Sequence, residues 1–353
     1  MNFISEAAQE MLRQEAPAAE QQGSLTERQL ALIYQEKWFR LFVPEALGGL
    51  QCPLPEALQL QERLAGIDGS LGWTITLCAG AAWFVAFLDE SLAQEIFSSP
   101  KVCLGGSGAA SGRAVKEGNG YRISGQWRFA TGAPHLTHFT ANCQLWEGNQ
   151  PLTRPDGSPL IQSFIFKQEE VQVVDDWRAM GLVATGSHTF RVQDLWVPAT
   201  RSFIIDAALS RLDHPVYHYP FLQFAEATLG VNYCGMSLQF LALAGNILLS
   251  NKNSALHRLH HAATTKILAE RERFYKAIEA SMRQESSKTE ESALMHQVSQ
   301  ACRALVTVCR EAVAAVYPYC GMAGADTQTA LNRVWRDLHT ASQHALLHPL
   351  PGH

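Results

Sequence analysis

GYRISGQWRFATG, residues 120–132, alternates from one residue to the next: Tyr121, Ile123, Trp127 and Phe129 share one parity, and Arg122, Ser124, Gln126 and Arg128 the other. Period-two alternation marks a strand with one face in a core and the other in water. Around it lie further short runs of the same kind, HFTANCQLW, IQSFIFKQ, VQVVDDW and HTFRVQDLWVP, separated by turns. Together they predict a small β-domain over residues 101–205.

On both sides the periodicity becomes helical. Upstream come SEAAQEMLRQEA, TERQLALIYQEKWFRLF, PEALQLQERLAGID and the apolar GWTITLCAGAAWFVAFL. DESLAQEIF follows, with an acidic start suited to a helix N-terminus. These predict an all-α domain over residues 1–100. Downstream, FAEATLGVNYCGMSLQFLALAGNILL, AATTKILAERERFYKAIEASM, ESALMHQVSQACRALVTVCREAVAAVY and TQTALNRVWRDLHTASQHALL predict a helical bundle over residues 206–353. RQESSKTEES reads as a polar loop between two of its helices. The expected fold class is α+β and multidomain: helical head, central small β-barrel or sandwich, C-terminal four-helix bundle.

Composition excludes several function classes. The apolar fraction of 47% and charged fraction of 17% belong to a well-buried globular chain. A net charge of −5 with scattered basic residues gives no footprint for nucleic acid. The eight cysteines, at 52, 78, 103, 143, 234, 302, 309 and 320, include no CxxC pair. That argues against a zinc ribbon or a redox dithiol and for unpaired thiols in a reducing compartment. The N-terminus has the pattern of neither a signal nor a transit peptide, and CAGAAWFVAFL (78–88) is too short to span a bilayer. A soluble, cytoplasmic protein with no membrane partner is expected.

Three segments carry candidate chemistry. WRDLHTASQH, residues 335–344, has no helix breaker; as a helix it places Asp337 and His344 on one face and Arg336, His339 and Gln343 on another. A carboxylate and an imidazole on one stripe can orient and tune a proton-transfer group. The same residues fit a capped, solvated helix end equally well. In MGLVATGSHTF, residues 180–190, Thr185, Gly186 and Ser187 form a small-residue loop able to approach a cofactor closely and donate to ribityl or phosphate oxygens. A plain inter-strand turn is the alternative. HRLHH, residues 257–261, has chelating spacing but no carboxylate within it, so an exposed histidine cluster is the better reading and no metal is expected.

Four segments, in order, also carry a resemblance. They are FVPEALGGLQCPLPEALQLQERLAGIDGSLGW, GYRISGQWRFATGAPHLTHF, DDWRAMGLVATGSHTFRVQDLWVP and LNRVWRDLHTASQH. With them the chain resembles the acyl-CoA dehydrogenase fold family over essentially its full length. It looks closer to the two-component flavin-dependent monooxygenases, such as the hydroxylases of 4-hydroxyphenylacetate and seco-steroid phenols and dibenzothiophene monooxygenase. The resemblance implies FAD or FMN, supplied in reduced form by a separate flavin reductase. It implies hydroxylation of an aromatic or heteroatom-containing small molecule through a C4a-hydroperoxyflavin, in a homodimer or homotetramer. Residue by residue, it places Thr131 and Gly132 beside the flavin ring and His344 near the reacting centre, with Asp337 orienting it. Thr185, Gly186, Ser187 and Arg336 join the cofactor-binding set, although structural ion pairs fit Arg336 and Asp337 as well.

Departures from the family pattern choose the branch. The two positions where the dehydrogenases carry their glutamate base hold Gln328 and Pro220 here. LGGSGAASGRA, residues 104–114, replaces their "TEP..GSD" segment, and LLSNKNSALHRLHH lacks their "R...FG" motif. Glu226 is the nearest carboxylate to a displaced base, which keeps a flavin dehydrogenase or oxidase as an alternative. A degenerate binding or scaffold protein is another. No nicotinamide-binding G-x-G-x-x-G follows a strand, GGSGAASG (105–112) having the wrong spacing.

Overall fold

The computed structural model describes residues 4–282 and 288–348. The head begins with α1 (Glu6–Gln22), whose first turn is capped by the Ser5 hydroxyl and whose end is Gly23 at φ +74°. Helix α2 (Glu27–Gln35) opens with a reciprocal Thr26–Gln29 capping box. Asp68 joins α3 (Leu54–Ile67) to α4 (Gly69–Ala82): it ends the first and caps the second, accepting from Leu71 N–H at 2.8 Å. Helix α4 is buried nearly all round and runs on through a 3-10 turn at Trp83–Phe87. The 19 residues Gly69–Phe87 are long and apolar enough to cross a membrane, but 83% of that run is buried inside the fold. The expectation of a stretch too short to span is therefore corrected: neighbouring protein, not length, accounts for its apolarity. Helix α5 (Glu90–Phe97) closes the head.

The middle is one sheet of eight strands: β1 (Leu104–Glu117), β2 (Gly120–Ala130), β3 (His138–Glu147), β4 (Gln150–Pro151), β5 (Ile161–Lys167), β6 (Gln172–Val174), β7 (His188–Pro198) and β8 (Ser202–Phe203). Their order is β6-β7-β2-β1-β3-β5-β8, with β4 beside β3. The β1–β3 pair is parallel and the others antiparallel. Trp127, Phe139, Phe164, Phe166 and Phe190 form the buried face. The glycine-rich 104–114 segment is strand, not loop; a Cβ on Gly112 would come within 2.3 Å of the Trp127 ring, so the glycine makes room for that indole.

The tail comprises α6 (Pro215–His218), α7 (Phe221–Leu248), α8 (Ser254–Ser281), α9 (Lys288–Val316), α10 (Met322–Ala325) and α11 (Ala330–Ala341). Helix α7 is its axis, packing against α3, α4, α8, α9 and α11. Its backbone meets α3 closely enough that a Cβ on Gly235 would lie 2.0 Å from the Glu62 carbonyl oxygen. Glu62 also pins α8 to α3, accepting from Arg271 at 2.6 Å and from the Tyr275 hydroxyl at 2.9 Å. Of the expected loop RQESSKTEES, residues 283–287 lie outside the described residues, and α9 has already begun at Lys288.

The helix expected over 335–344 also needs correcting. Helix α11 stops at Ala341, and His344 opens a 3-10 turn at Ala345–Leu347. Leu347 is buried, and Arg310 on α9 donates to its carbonyl at 3.0 Å, which draws the chain back onto the bundle. His344 takes an extended backbone, and its Nδ1 accepts from Leu346 N–H at 3.3 Å.

Candidate functional site

A cavity of ≈ 260 Å³ lies where head, sheet and tail meet, lined among others by Thr76, Thr131, Asn142, Ser163, Phe224 and His344. Helix α4 brings Thr76, the end of β2 brings Thr131, the paired strands β3 and β5 bring Asn142 and Ser163, α7 brings Phe224, and the terminal turn brings His344. No Asp, Glu, Lys or Arg lines it; His344 is its one titratable side chain among the described residues. Burial pushes the His344 pKa below the ordinary imidazole value, with the charge of His348 adding to the effect, so the ring is neutral at pH 7. The Trp73 ring stands edge-on to it at 6.0 Å.

A bulge aims Thr131 inward. The β2–β7 register shifts between Trp127 and Ala130, and Phe129 takes φ +67°. Strict alternation would bury Phe129. Instead its ring is 58% exposed, edge-on to Trp177 at 6.1 Å, while Ala130 and Thr131 are buried.

Hydrogen counting then orders the hydroxyls. Thr185 donates its only hydroxyl proton to the Leu182 carbonyl at 2.7 Å. Ser187 must therefore donate in the Thr185–Ser187 pair (2.7 Å), and Thr131 must donate in the Thr131–Ser187 pair (3.0 Å). The relay runs Thr131 to Ser187 to Thr185 to Leu182, and it leaves Thr131 with oxygen lone pairs, not a proton, for any further partner. Gly132 N–H donates to the Thr185 carbonyl at 2.7 Å, tying the two loops together.

The loop carrying Thr185 and Ser187 is clamped on both sides. Gly186, at φ +49°, lies so close to Pro134 that a Cβ would come within 2.7 Å of its ring. On the other side Gly181 N–H donates to the Thr340 hydroxyl at 3.0 Å, and Leu182 N–H donates to Asp337 Oδ1. A Cβ on Gly181 would lie 2.2 Å from the Arg336 carbonyl, so only glycine passes there.

Arg336 and Asp337 belong to this clamp. Arg336 pairs with Glu20 on α1 and donates to the Met180 carbonyl and to Asn332, each at 2.7 Å. Asp337 is almost fully buried, and its Oδ2 has no hydrogen-bond partner. Burial, reinforced by the nearby Asp68 carboxylate, pushes its pKa up to about 8. Arg333 lies between the acids, 4.0 Å from Asp68 and 3.9 Å from Glu20. The expectation that Asp337 shares a helix face with His344 is thus corrected, since α11 ends between them and neither Asp337 nor Arg336 lines the cavity.

The dehydrogenase positions are equally clear. Gln328 is exposed and Pro220 begins α7. Glu226, the remaining candidate base, points into the bundle, where the Ser299 hydroxyl and Arg303 (3.3 Å) hold it. His257 and His260 each face a backbone carbonyl, of Asn251 and Leu241. All eight cysteines are buried and unpaired.

Sequence reasoning missed Thr76, Asn142, Ser163 and the phenyl walls. One signal was available: in HFTANCQLW the parity of His138, Thr140, Asn142 and Gln144 is polar yet uncharged, as suits a face turned to a cavity and not to bulk water.

A planar heteroaromatic ring with polar edges, such as a flavin, fits this donor set. The wall is apolar with hydroxyls at its edge, and Thr131 offers its oxygen. The Thr185 and Ser187 hydroxyls are already committed to the relay, so a phosphate tail finds no free donor on them.

Residues 248–349 match the family model for the acyl-CoA dehydrogenase C-terminal domain. A pigment production hydroxylase of Rhodococcus sp. is 34% identical over 193 residues, covering 52% of this chain and 48% of that protein. The oxygenase subunit HsaA of a flavin-dependent monooxygenase from Mycobacterium tuberculosis is 27% identical over 235 residues, covering 64% and 58%. These two matches thus span only about half the length of the curated relatives. The whole fold compares with the crystal structure of the HsaA monooxygenase from M. tuberculosis at TM-score 0.87, 20% identity, covering 97% of this chain and 93% of that one. XiaF from Streptomyces sp., in complex with FADH2 and glycerol, gives TM-score 0.83 at 20% identity, covering 97% and 89%. These likenesses show the fold: over 97% of its length the chain is built as the HsaA monooxygenase structure is, and residues 248–349 resemble the acyl-CoA dehydrogenase C-terminal domain.

Proposed function

We propose that the chain is the oxygenase component of a two-component flavin monooxygenase, hydroxylating an aromatic or heteroatom-containing small molecule in the cavity under α4 and α7. The observation that carries this reading is the cavity wall: one neutral imidazole, several hydroxyls and no carboxylate. Abstraction of an α-proton from a thioester needs a base facing the cavity, and Glu226 faces α9 instead. The relative named as the oxygenase subunit of a flavin-dependent monooxygenase, and the FADH2 held by XiaF, support the same reading.

Reduced flavin, when bound, supplies the electrons that activate dioxygen. The chain's own residues supply the rest. Thr131 and Gly132 meet the ring edge, and Thr185, Gly186 and Ser187 act through Thr131 by fixing where its proton goes. Arg336 and Asp337 hold that loop from the outside. His344, neutral at rest with Nδ1 accepting from Leu346 N–H, carries its proton on Nε2 and donates it to a substrate or oxygen-bearing partner, and the phenyl-lined walls exclude water. The cofactor is FAD or FMN, delivered by a separate reductase, since the sequence holds no nicotinamide-binding motif. A cytoplasmic homodimer or homotetramer fits the exposed apolar side chains Leu249, Leu268 and Met322 on the tail helices.

The test is an anaerobic titration with reduced FAD and FMN, followed by rapid mixing with oxygenated buffer. Oxygenase chemistry gives a slowly decaying oxygenated-flavin absorbance, shortened in His344→Ala. Binding of oxidised flavin without that phase would point to a dehydrogenase, and no binding in either redox state to a scaffold.

A further inference from the structure

We propose that the cavity selects uncharged arenes and rejects those bearing a carboxylate or phosphate. This rests on the oxygenase reading of the same cavity and names its substrate class. Part of its wall is aromatic: the rings of Phe84 and Phe203 lie 5.5 Å apart and those of Phe84 and Phe221 5.6 Å.

The polar part of the wall has few side-chain protons left to give an anion, chiefly the Ser107 hydroxyl, whose oxygen accepts from Ala109 N–H at 3.4 Å, and one Asn142 N–H. Ser163 donates to Asn142 at 2.7 Å, and Asn142 in turn donates to the Gly108 carbonyl at 2.9 Å. Thr140 donates to the Gly105 carbonyl (3.3 Å) and Thr228 to that of Ala225 (3.1 Å). The Thr131 proton belongs to the Ser187 relay. Thr76 accepts from Asn232 at 3.0 Å and keeps its own proton, and the uncharged His344 offers one N–H. A carboxylate entering here would lose its hydration and meet no cation, whereas a phenol keeps its hydroxyl satisfied on His344 or Thr76. Neutral ligands are therefore favoured over their acid counterparts by at least about 100-fold in affinity.

The test is calorimetric titration of the full chain, alone and anaerobically with reduced FAD. The ligands are matched pairs: methyl 3-hydroxybenzoate against 3-hydroxybenzoate, and indole against indole-3-acetate. Neutral members binding at least about 100-fold tighter is the expected result. Ile205→Arg, which adds a cation at a half-buried lining position, should narrow the gap to about 10-fold, with Ile205→Gln leaving it wide. Equal or tighter binding of the acids by the wild-type protein overturns the proposal, as does binding of neither class. If Ile205→Arg does not fold, the wild-type pairs decide alone. Binding is read without turnover, so selectivity seen without any flavin–oxygen chemistry counts against the oxygenase reading only.

Discussion

A single hydroxyl proton sets what Thr131 can offer. Because Thr185 spends its proton on Leu182, Ser187 and then Thr131 are forced into donor roles, and Thr131 presents lone pairs. A reduced flavin carries an N–H at the ring position where the oxidised form has only an acceptor, so the relay favours the reduced ring. Ser187→Ala frees the Thr131 proton. The ratio of reduced to oxidised FMN affinity is then expected to fall about 5- to 10-fold, one net hydrogen bond, as read by equilibrium titration of both redox states. Asp337 gives a second prediction at this scale. Its pKa is raised in the folded state, so the fold binds a proton that the unfolded chain has already released above about pH 4. This group's stabilisation is therefore full at acid pH and is lost as pH rises through about 8. Asp337→Asn retains an acceptor for Leu182 N–H and has no proton to lose. Urea midpoints at pH 5 and pH 8.5 should differ less in the variant than in the wild-type protein; an unchanged difference would contradict the assignment. Neither effect is visible in the sequence, because both depend on which oxygen touches which neighbour.

At the scale of elements, the succession of helical head, strands and helical tail was legible because period-two and period-3.6 patterns are local properties. What was not legible was where elements break. The alternation through Tyr121, Ile123 and Trp127 predicts Phe129 inside, and the bulge puts it outside so that Thr131 can turn in. A bulge costs local pairing and is repaid by distant contacts, here with the 182–187 loop, which no local pattern encodes. The helix that ends at Ala341 is a parallel case: Leu347 and Arg310 settle it from outside. Glu20 shows how the elements are tied. It joins α1 to α11 through Arg336, with Arg333 3.9 Å away. Glu20→Gln leaves Arg336 its bonds to Asn332 and Met180 but removes the countercharge from a half-buried site. A loss of about 1–3 kcal/mol is expected, measured as a lower urea midpoint with an unchanged slope.

For the whole molecule, the notable fact is that no one domain holds the site. Thr131 was readable from the β-domain motif and His344 from the terminal one, but the phenyl walls come from the turn after α4 (Phe84), from β8 (Phe203) and from α7 (Phe221 and Phe224), in apolar runs that look like any core. The base positions are as consistent as the walls: Gln328 and Pro220 carry no carboxylate, and Glu226 is turned away into the bundle. Glu226→Gln is accordingly expected to leave the rate of reduced-flavin oxidation within about twofold of wild type, while lowering stability through its lost pairing with Arg303 and Ser299. A collapse of activity with the fold intact would restore Glu226 as a base.

The turn that carries His344 has a further consequence. Among the described residues it is tied down by the buried Leu347, the half-buried Leu346, the Trp73 ring beside His344 and one Arg310 bond, well short of the packing that holds α7. Such a segment opens at a free energy below that of global unfolding, and the imidazole leaves with it. Warmed gradually, the molecule should lose its chemistry reversibly several degrees before it melts, and Leu347→Ala should widen that interval while barely moving the melt.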